Sequence, residues 1–280
     1  MKILILVILI LIFIHFTNYL NYWKMIWFNS KKPDQLKWKL CDKIEAKKYA
    51  EENGFLVPKL YQFKEFPNQL IEPKLNSYVV KPTDLCNSEG VYLIKNGINL
   101  GNNKKISFSE IQKELVKLRC GVGLEYYMHN DMYQNRIPNN GYIIEELLLD
   151  NGKLPTDYKC YVFQGKIYFI ANTYNRKVIN GEQKFNSVWF TRNWKPIPIK
   201  MIKKGYKYQK LPKPEGLDNM IEIVEKVGKK LNRHCRVDVY LINGKTYFGE
   251  FTFFGGAFLH TRFCNNILGL LWKIYPDKIK

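Results

Sequence analysis

The sequence predicts an α+β protein, and three observations carry that expectation. Residues 157–177 and 236–254 alternate apolar and polar side chains around Gln164-Gly165 and Asn243-Gly244, the pattern of β-hairpins. SYVVKP (77–82) and GYIIEELLL (141–149) are short apolar runs that suit buried strands. Helical spacing is confined to a few stretches, so a small number of helices would cover a mostly β structure.

From the N-terminus, residues 1–20 differ in kind from the rest. ILILVILILIFIHF (3–16) continues through TNYL to Leu20 with one histidine and no full charge, near the minimum for a bilayer-spanning helix. A secretory signal has the same apolar character, but no small-x-small cleavage site follows, which favours an uncleaved transmembrane signal-anchor over 1–20. Lys24, Lys31, Lys32, Lys37 and Lys39 follow the run and Lys2 precedes it. That bias predicts a single-pass membrane protein with its C-terminal domain in the cytosol. Tyr19, Tyr22, Trp23 and Trp27 would sit at the membrane interface. Residues 21–37 would form a juxtamembrane linker broken by Pro33.

A folded domain is expected over 38–264. It opens with a helix over 41–53 closed by Gly54. Residues 55–73 are mixed. SYVVKP, the polar loop TDLCNSEG and VYLIKNG predict a hairpin with a long tip. Ser107 or Ser109 would cap a helix through Arg119 that places Ile111, Leu115 and Leu118 on one face. Residues 197–216 form a Lys- and Pro-rich connection. Met220, Ile223, Val224, Val227 and Leu231 have helical spacing over 219–231. Residues 265–280 would be a weakly amphipathic basic tail.

A net charge of +19 points to phosphate-bearing partners. Lysine is spread through the chain, however, and Lys, Ile and Asn are all abundant, as an AT-rich genome would produce. No zinc-finger spacing or nucleic-acid motif is present, so a nucleic-acid partner is set aside. The six cysteines (Cys41, Cys86, Cys120, Cys160, Cys235 and Cys264) form no C-x-x-C pair and suit a reducing compartment better than a disulfide framework.

The candidate chemistry centres on RVDVYLINGKTYFGEFTFFGG, 236–256. A two-residue loop would pair Asp238 with Gly249 and put Asp238 and Glu250 on opposite faces. A three-residue loop, with Gly244 as the left-handed residue of a bulge, shifts the parity. Val237, Val239, Leu241, Tyr247, Phe251 and Phe253 then share a core face. Arg236, Asp238, Glu250 and Thr252 gather on the other. Two close carboxylates repel unless a cation joins them. Mg²⁺ takes one or two carboxylates plus substrate phosphates, and an arginine beside it can grip a phosphoryl group in bidentate fashion. An exposed hairpin face with an Arg–Glu surface pair is the competing reading.

Two further segments bear on that choice. Lys81 ends an apolar strand before a loop carrying Asn87, Ser88 and Gly90, an arrangement suited to nucleotide phosphates. Glu145 and Glu146 end another apolar strand before Leu147 and Leu148, a plausible ribose and adenine edge. A solvated lysine and an ordinary strand end are the plainer readings of each.

In this order the elements resemble the ATP-grasp superfamily, and within it the TupA-like ATP-grasp proteins named for teichuronopeptide biosynthesis. CDKIEAKKYAEENG is similar to the family's Asp-Lys helix and YVVKP to its phosphate-binding lysine strand. IIEELLLDNGKLPTDYKCYVFQGK is similar to its hinge and Asp-Tyr-Lys hairpin, and RVDVYLINGKTYFGEFTFFGG to its closing metal-binding hairpin.

The resemblance implies an ATP-grasp fold, two α+β subdomains clasping a nucleotide, with ATP and Mg²⁺ as cofactors. It implies that Lys43 and Lys81 touch ATP phosphates under a loop with Ser88 and Gly90. Glu145, Glu146, Leu147 and Leu148 would line the adenine and ribose pocket, and Asp157 and Lys159 would sit in the cleft. Asp238 and Glu250 would hold Mg²⁺, with Thr252 where many ATP-grasp enzymes have Asn. Arg236 would steady the transferring phosphoryl group, and Arg176 would meet an acidic substrate. The implied activity is carboxylate–amine ligation through an acyl phosphate. Its partners would be an acidic small-molecule or glycan substrate and an amine acceptor, in surface polysaccharide or glycopeptide synthesis at a membrane reached through residues 3–20. Two alternatives stay open: a kinase acting on a sugar or glycan hydroxyl, and an inactive tethered binding protein, for which Glu89 in the covering loop is the suggestive feature.

Overall fold

The computed structural model describes residues 21–30, 32, 34–85, 88–118, 141–179, 182–255 and 259–278. The expected membrane anchor lies outside the described residues. Among those described, no helix is long and apolar enough to cross a membrane.

The described chain begins with helices α1 (Tyr22–Ser30), α2 (Gln35–Lys39) and α3 (Lys43–Glu51). Asp42 starts α3 by accepting hydrogen bonds from the Ile44 and Glu45 amides at 2.8 and 3.1 Å. Ala46 and Ala50, four apart, bury one face of this helix, and Gly54 (φ 93°) ends it in the left-handed conformation.

Strands β1 (Leu60–Lys64), β2 (Ser77–Pro82), β3 (Tyr92–Lys95), β4 (Ile98–Asn99) and β5 (Lys104–Lys105) follow, then helix α4 (Phe108–Leu118) and strand β6 (Tyr142–Glu145). These strands form an antiparallel sheet in the order β1-β6-β2-β3-β4-β5. A reciprocal cap opens α4. The Ser107 amide donates to Glu110 Oε2 at 2.8 Å, and the Glu110 amide donates to Ser107 Oγ at 3.3 Å. Tyr78, Val80, Tyr142 and Ile144 pack with Ile111 and Leu115 of α4. Since side chains alternate along a strand, Val79, Lys81, Ile143 and Glu145 are directed to the opposite face.

The second sheet uses β7 (Asp157–Phe163), β8 (Lys166–Ile179) and β9 (Glu182–Thr191), then, after helix α5 (Leu217–Leu231), β10 (Cys235–Ile242) and β11 (Lys245–Thr252). Its order is β11-β10-β7-β8-β9, again antiparallel. Helix α6 (Arg262–Ile274) follows. One face of the sheet, with Cys160, Val162, Val237 and Val239, packs on Met220, Val224, Val227 and Leu231 of α5. The other face, with Tyr161, Phe163, Ala171 and Trp189, packs on Tyr22 and Ile26 of α1 and on Leu268 and Trp272 of α6.

β9 has no counterpart among the expected elements. Val188 and Phe190 join one core and Trp189 the other. Burial on both faces gives a continuous apolar run instead of an alternating one.

Two expectations about the ends need correction. Residues 21–37 carry helices, and Tyr22 and Ile26 are buried at 3% and 2% exposure, so Tyr22 meets protein where a membrane interface was expected. Residues 265–280 are not a separate tail, since α6 buries Leu268 and Trp272. Buried Lys37 of α2 pairs with Asp277 at 2.5 Å, tying the two ends together. The partners of these apolar residues lie far away in sequence, so local pattern alone does not reveal them. Cys160, Cys235 and Cys264 are buried free thiols.

Two buried histidines lie between the sheet and this terminal layer. His234 Nδ1 lies 3.1 Å from the Val162 carbonyl, and its Nε2 lies 2.5 Å from the Tyr22 hydroxyl. His260 Nε2 lies 2.9 Å from the Tyr161 hydroxyl. Burial pushes His234 down to about 4 and His260 to about 3, with Arg236 adding to the effect on His260. Below the unfolded value near 6.5 the unfolded chain takes up protons that the folded one refuses. Stability present above about pH 6.5 is therefore expected to fall as pH drops toward 4, by on the order of a few kcal/mol. Urea unfolding as a function of pH checks this. His260→Gln is expected to flatten the slope between pH 4 and 6.5, whatever it does to stability at pH 7.

Candidate active site

Lysines gather on the inner face of the first sheet. Glu145, at the end of β6, is 3% exposed. Its Oε1 pairs with Lys81 of β2 at 2.6 Å, and its Oε2 with Lys47 of α3. Lys47 is itself buried, at 7% exposure. Burial first, and then Lys81 and Lys43, push the Lys47 ammonium well below the usual lysine range. Burial and Lys43 bring Lys81 down to about 7, while Glu250 pulls the other way. The walls are linked through α3, which also packs along β11 of the second sheet. Lys43 Nζ donates to the Leu85 carbonyl at 2.5 Å, beside the loop that follows β2.

Glu145, expected at the adenine and ribose edge, is engaged here by side chains of its own fold. Its carboxylate holds two lysines. Lys47 is the residue that the sequence reading missed. The signal was present, since Lys43 and Lys47 are four apart and share one face of a helix. Glu146 is half-buried and is engaged with the segment before β1, its amide donating to the Lys59 carbonyl at 2.8 Å. Leu147 is buried and Leu148 half-buried. In the loop, Ser88 adopts φ 62° and Glu89 is exposed. A Cβ on Gly90 would lie 2.9 Å from Leu118 and 3.1 Å from Pro82, so this glycine lets the loop pack on α4.

The second wall is the hairpin β10–β11. Asp238 pairs with Glu250 and Arg236 with Thr252, the register the apolar pattern predicts. The means differ from expectation. The turn is a two-residue one, with Asn243 at φ 49°, Gly244 at φ 70° and Ile242 paired to Lys245. The parity shift comes from a bulge at Gly249, because Val239 pairs with Phe248 while Asp238 pairs with Glu250. A Cβ on Gly249 would lie 2.8 Å from the Asp238 carbonyl. The core face accordingly takes Phe248, and half-buried Tyr247 lies opposite Tyr240 on the other face.

On the polar face, Arg236 is the centre. Its Nε and Nη2 grip the two Asp238 oxygens at 2.6 and 2.7 Å. Nη2 also reaches Glu250 Oε1 and Thr252 Oγ1, each at 3.0 Å. Lys159 of β7 pairs with Asp238 Oδ2 and lies 2.8 Å from Asp157 Oδ2. Burial disfavours the charged form of Asp238, but Arg236 and then Lys159 outweigh it and hold the carboxyl down to about 2. Arg176, on β8, pairs with Asp157 Oδ2. Asp157 Oδ1 is buried and has no hydrogen-bond partner among the described residues. The structure thus brings Arg236, Asp238, Glu250, Thr252, Asp157, Lys159 and Arg176 together.

Asp238, Glu250 and Thr252 offer only oxygen donors, and they converge on one positive group, the Arg236 guanidinium. This is a hard-donor set that fits Mg²⁺, which needs one or two carboxylates with the remaining positions left to phosphate and water. Among the described residues no group of three His, Cys, Asp or Glu side chains forms a self-sufficient metal cage.

The model of the TupA-like ATP-grasp family matches residues 23–271. The chain belongs to this family. No curated protein sequence matches it. Among solved structures, this ATP-grasp chain is similar to D-alanine–D-alanine ligase from Helicobacter pylori. Identity there is 16% and the TM-score 0.44, over 86% of this chain and 60% of that one. The ATP complex of D-alanine–D-alanine ligase from Bacillus anthracis gives 13% identity and a TM-score of 0.46, over 85% of this chain and 65% of that one. An L-amino acid ligase from Bacillus licheniformis gives 13% and 0.46, over 85% and 43%. The ATP-grasp chain thus spans less than two thirds of the length of each of these ligases.

Two outcomes are expected for stability. Glu145→Leu leaves Lys47 and Lys81 without their acid and should cost about 3–5 kcal/mol, whereas the Lys47→Met/Glu145→Leu pair should recover part of that loss. A urea-unfolding double-mutant cycle measures both. Gly249→Val should cost about 1–3 kcal/mol, because its Cβ meets main chain that cannot move aside.

Proposed function

We propose that the protein is an ATP- and Mg²⁺-dependent carboxylate–amine ligase. The observation that carries this reading is the opposition of two walls. Lys47 and Lys81 gather on Glu145 at one wall, an oxygen-donor set centred on Arg236 forms the other, and α3, which carries Lys43 and Lys47, packs along β11 of that second wall. A polyphosphate bridged by a divalent cation complements both walls at once.

In this reading Lys43 and Lys81 bind ATP phosphates, and Lys159 turns from Asp238 toward the terminal phosphate. Asp238, Glu250 and Thr252 hold the metal. When bound, Mg²⁺ neutralises charge on the phosphate oxygens and aligns them. A substrate carboxylate oxygen attacks the γ-phosphorus, ADP leaves, and an acyl phosphate forms. Arg236, freed from Glu250 and Thr252, stabilises the negative charge on the equatorial oxygens. An amine then attacks the acyl carbon, losing a proton as phosphate departs, and an amide results. Arg176, exposed at the rim beside Asp157, suits an acidic substrate. Glu89 is exposed at the loop turn.

The apolar run over 3–20 and the lysines after it support a membrane tether, with the ATP-grasp domain on the cytosolic side. The family's name and that tether together support an acid or acceptor belonging to surface polysaccharide or glycopeptide synthesis.

Thermal unfolding with ATP, Mg²⁺ or both tests the site. At about 100 times its dissociation constant Mg-ATP should stabilise the protein by about 2.7 kcal/mol. Neither component alone should match this, and Glu250→Gln and Lys81→Ala should each abolish it. No response to millimolar Mg-ATP would overturn the reading. Release of ADP together with free phosphate and an amide marks a ligase; a phosphorylated product without an amide marks a kinase.

A further inference from the structure

The outer side of α6 is apolar where water is expected. Phe263, Ile267, Leu270 and Ile274 recur at spacings of three and four, the positions of one helical stripe. Phe263, Leu270 and Ile274 are 43%, 37% and 55% exposed. Cys264, Leu268 and Trp272 on the inner side are buried against the sheet. The helix is thus apolar on both sides, and internal packing accounts for only one of them. Helix α1, packed on α6, adds exposed Trp23 and Phe28.

The border of this surface is basic. Exposed Lys200, Lys203 and Lys204 are held beside the first turn of α6. The Lys203 amide donates to the Leu259 carbonyl at 2.8 Å, and Thr261 Oγ1, which caps α6, donates to the Lys200 carbonyl at 2.9 Å. Exposed Lys24 lies on α1, and exposed Lys278 follows α6. The uncharged run over 3–20 enters α1 with only Asn21 between them.

We propose that the α1–α6 face is the surface on which the domain lies against a bilayer containing anionic headgroups. The apolar stripe enters the interfacial region, and the bordering lysines meet lipid phosphates. This rests on the membrane tether proposed above and adds which face of the domain turns to the lipid. The same face of the second sheet carries the site. β7 directs Asp157 and Lys159 to the cleft, and Tyr161 and Phe163 to the layer formed by α1 and α6. Docking in this way places the ligase beside a substrate carried at the membrane surface.

The test uses the full chain with p-benzoylphenylalanine in place of Leu270, Ile274 or Lys226. The last is exposed on α5, on the opposite side of the sheet. Each protein is mixed with phosphatidylcholine vesicles containing a minority of phosphatidylglycerol, floated, irradiated and analysed by mass. Lipid adducts at 270 and 274, with none above background at 226, are expected. Protein that floats but gives no lipid adduct at 270 or 274 overturns the docking face while leaving the tether intact. Protein–protein adducts from 270 make the stripe an interface between copies and overturn it as well. Protein that does not float overturns the docking face and the tether together.

Discussion

A carboxylate buried between two ammonium groups governs the arrangement of the first wall. Glu145 ends β6, Lys81 lies near the end of β2, and Lys47 projects from α3, which itself packs along β11 of the second sheet. One acid therefore sets the relative positions of three elements and joins the two sheets. Removing three charged groups from water is costly, and mutual pairing is what offsets it. Two lysines share one glutamate, and their burial disfavours the charged forms of both. Burial and Lys43 already bring Lys81 down to about 7. An entering anion would relieve that tension, so the cluster is suited to a polyanion by its electrostatics as well as by its position.

The second wall solves a related problem with the opposite sign. Asp238, Glu250 and Thr252 sit together because Gly249 bulges out of register, and only a residue without Cβ allows that approach to the Asp238 carbonyl. Arg236 satisfies all three acceptors. The guanidinium is the positive group on which these acceptors converge. The folded protein is thereby kept from leaving carboxylates uncompensated, and in the proposed reaction the same residue would meet the charge that builds up on the phosphoryl group.

Behind this wall lies the layer formed by α1 and α6. It packs on the continuation of the same strands, with Tyr161 two residues beyond Lys159 on β7, and His234 and His260 sealed between. Arg236 reaches into this layer electrostatically, contributing to the lowered His260. Site and terminal helices are consequently one packed structure, and the family match over residues 23–271 includes both.

The sequence alone determined the hairpins β2–β3, β7–β8 and β10–β11, the cap of α4 and the helices α3, α4 and α5. Each is a local matter of alternation, 3.6-residue spacing, or a Ser and Glu three apart, as at Ser107 and Glu110. It also determined that Asp238 and Glu250 share a face, because the competing register would bury charge. Tertiary structure decided what depends on partners distant in the chain. The parity shift belongs to Gly249, where main chain approaches main chain, whereas local pattern points to the turn at Gly244. β9 was hidden because burial on both faces erases alternation. Tyr22 and Trp272, in a linker and a tail by local pattern, are core residues, because Tyr161 and Trp189 of the same cluster come from the middle of the chain. Glu145 looked like a strand end until Lys47, ninety-eight positions away, was seen to close on it. Local pattern records which way a side chain faces; only the fold records what waits on the other side.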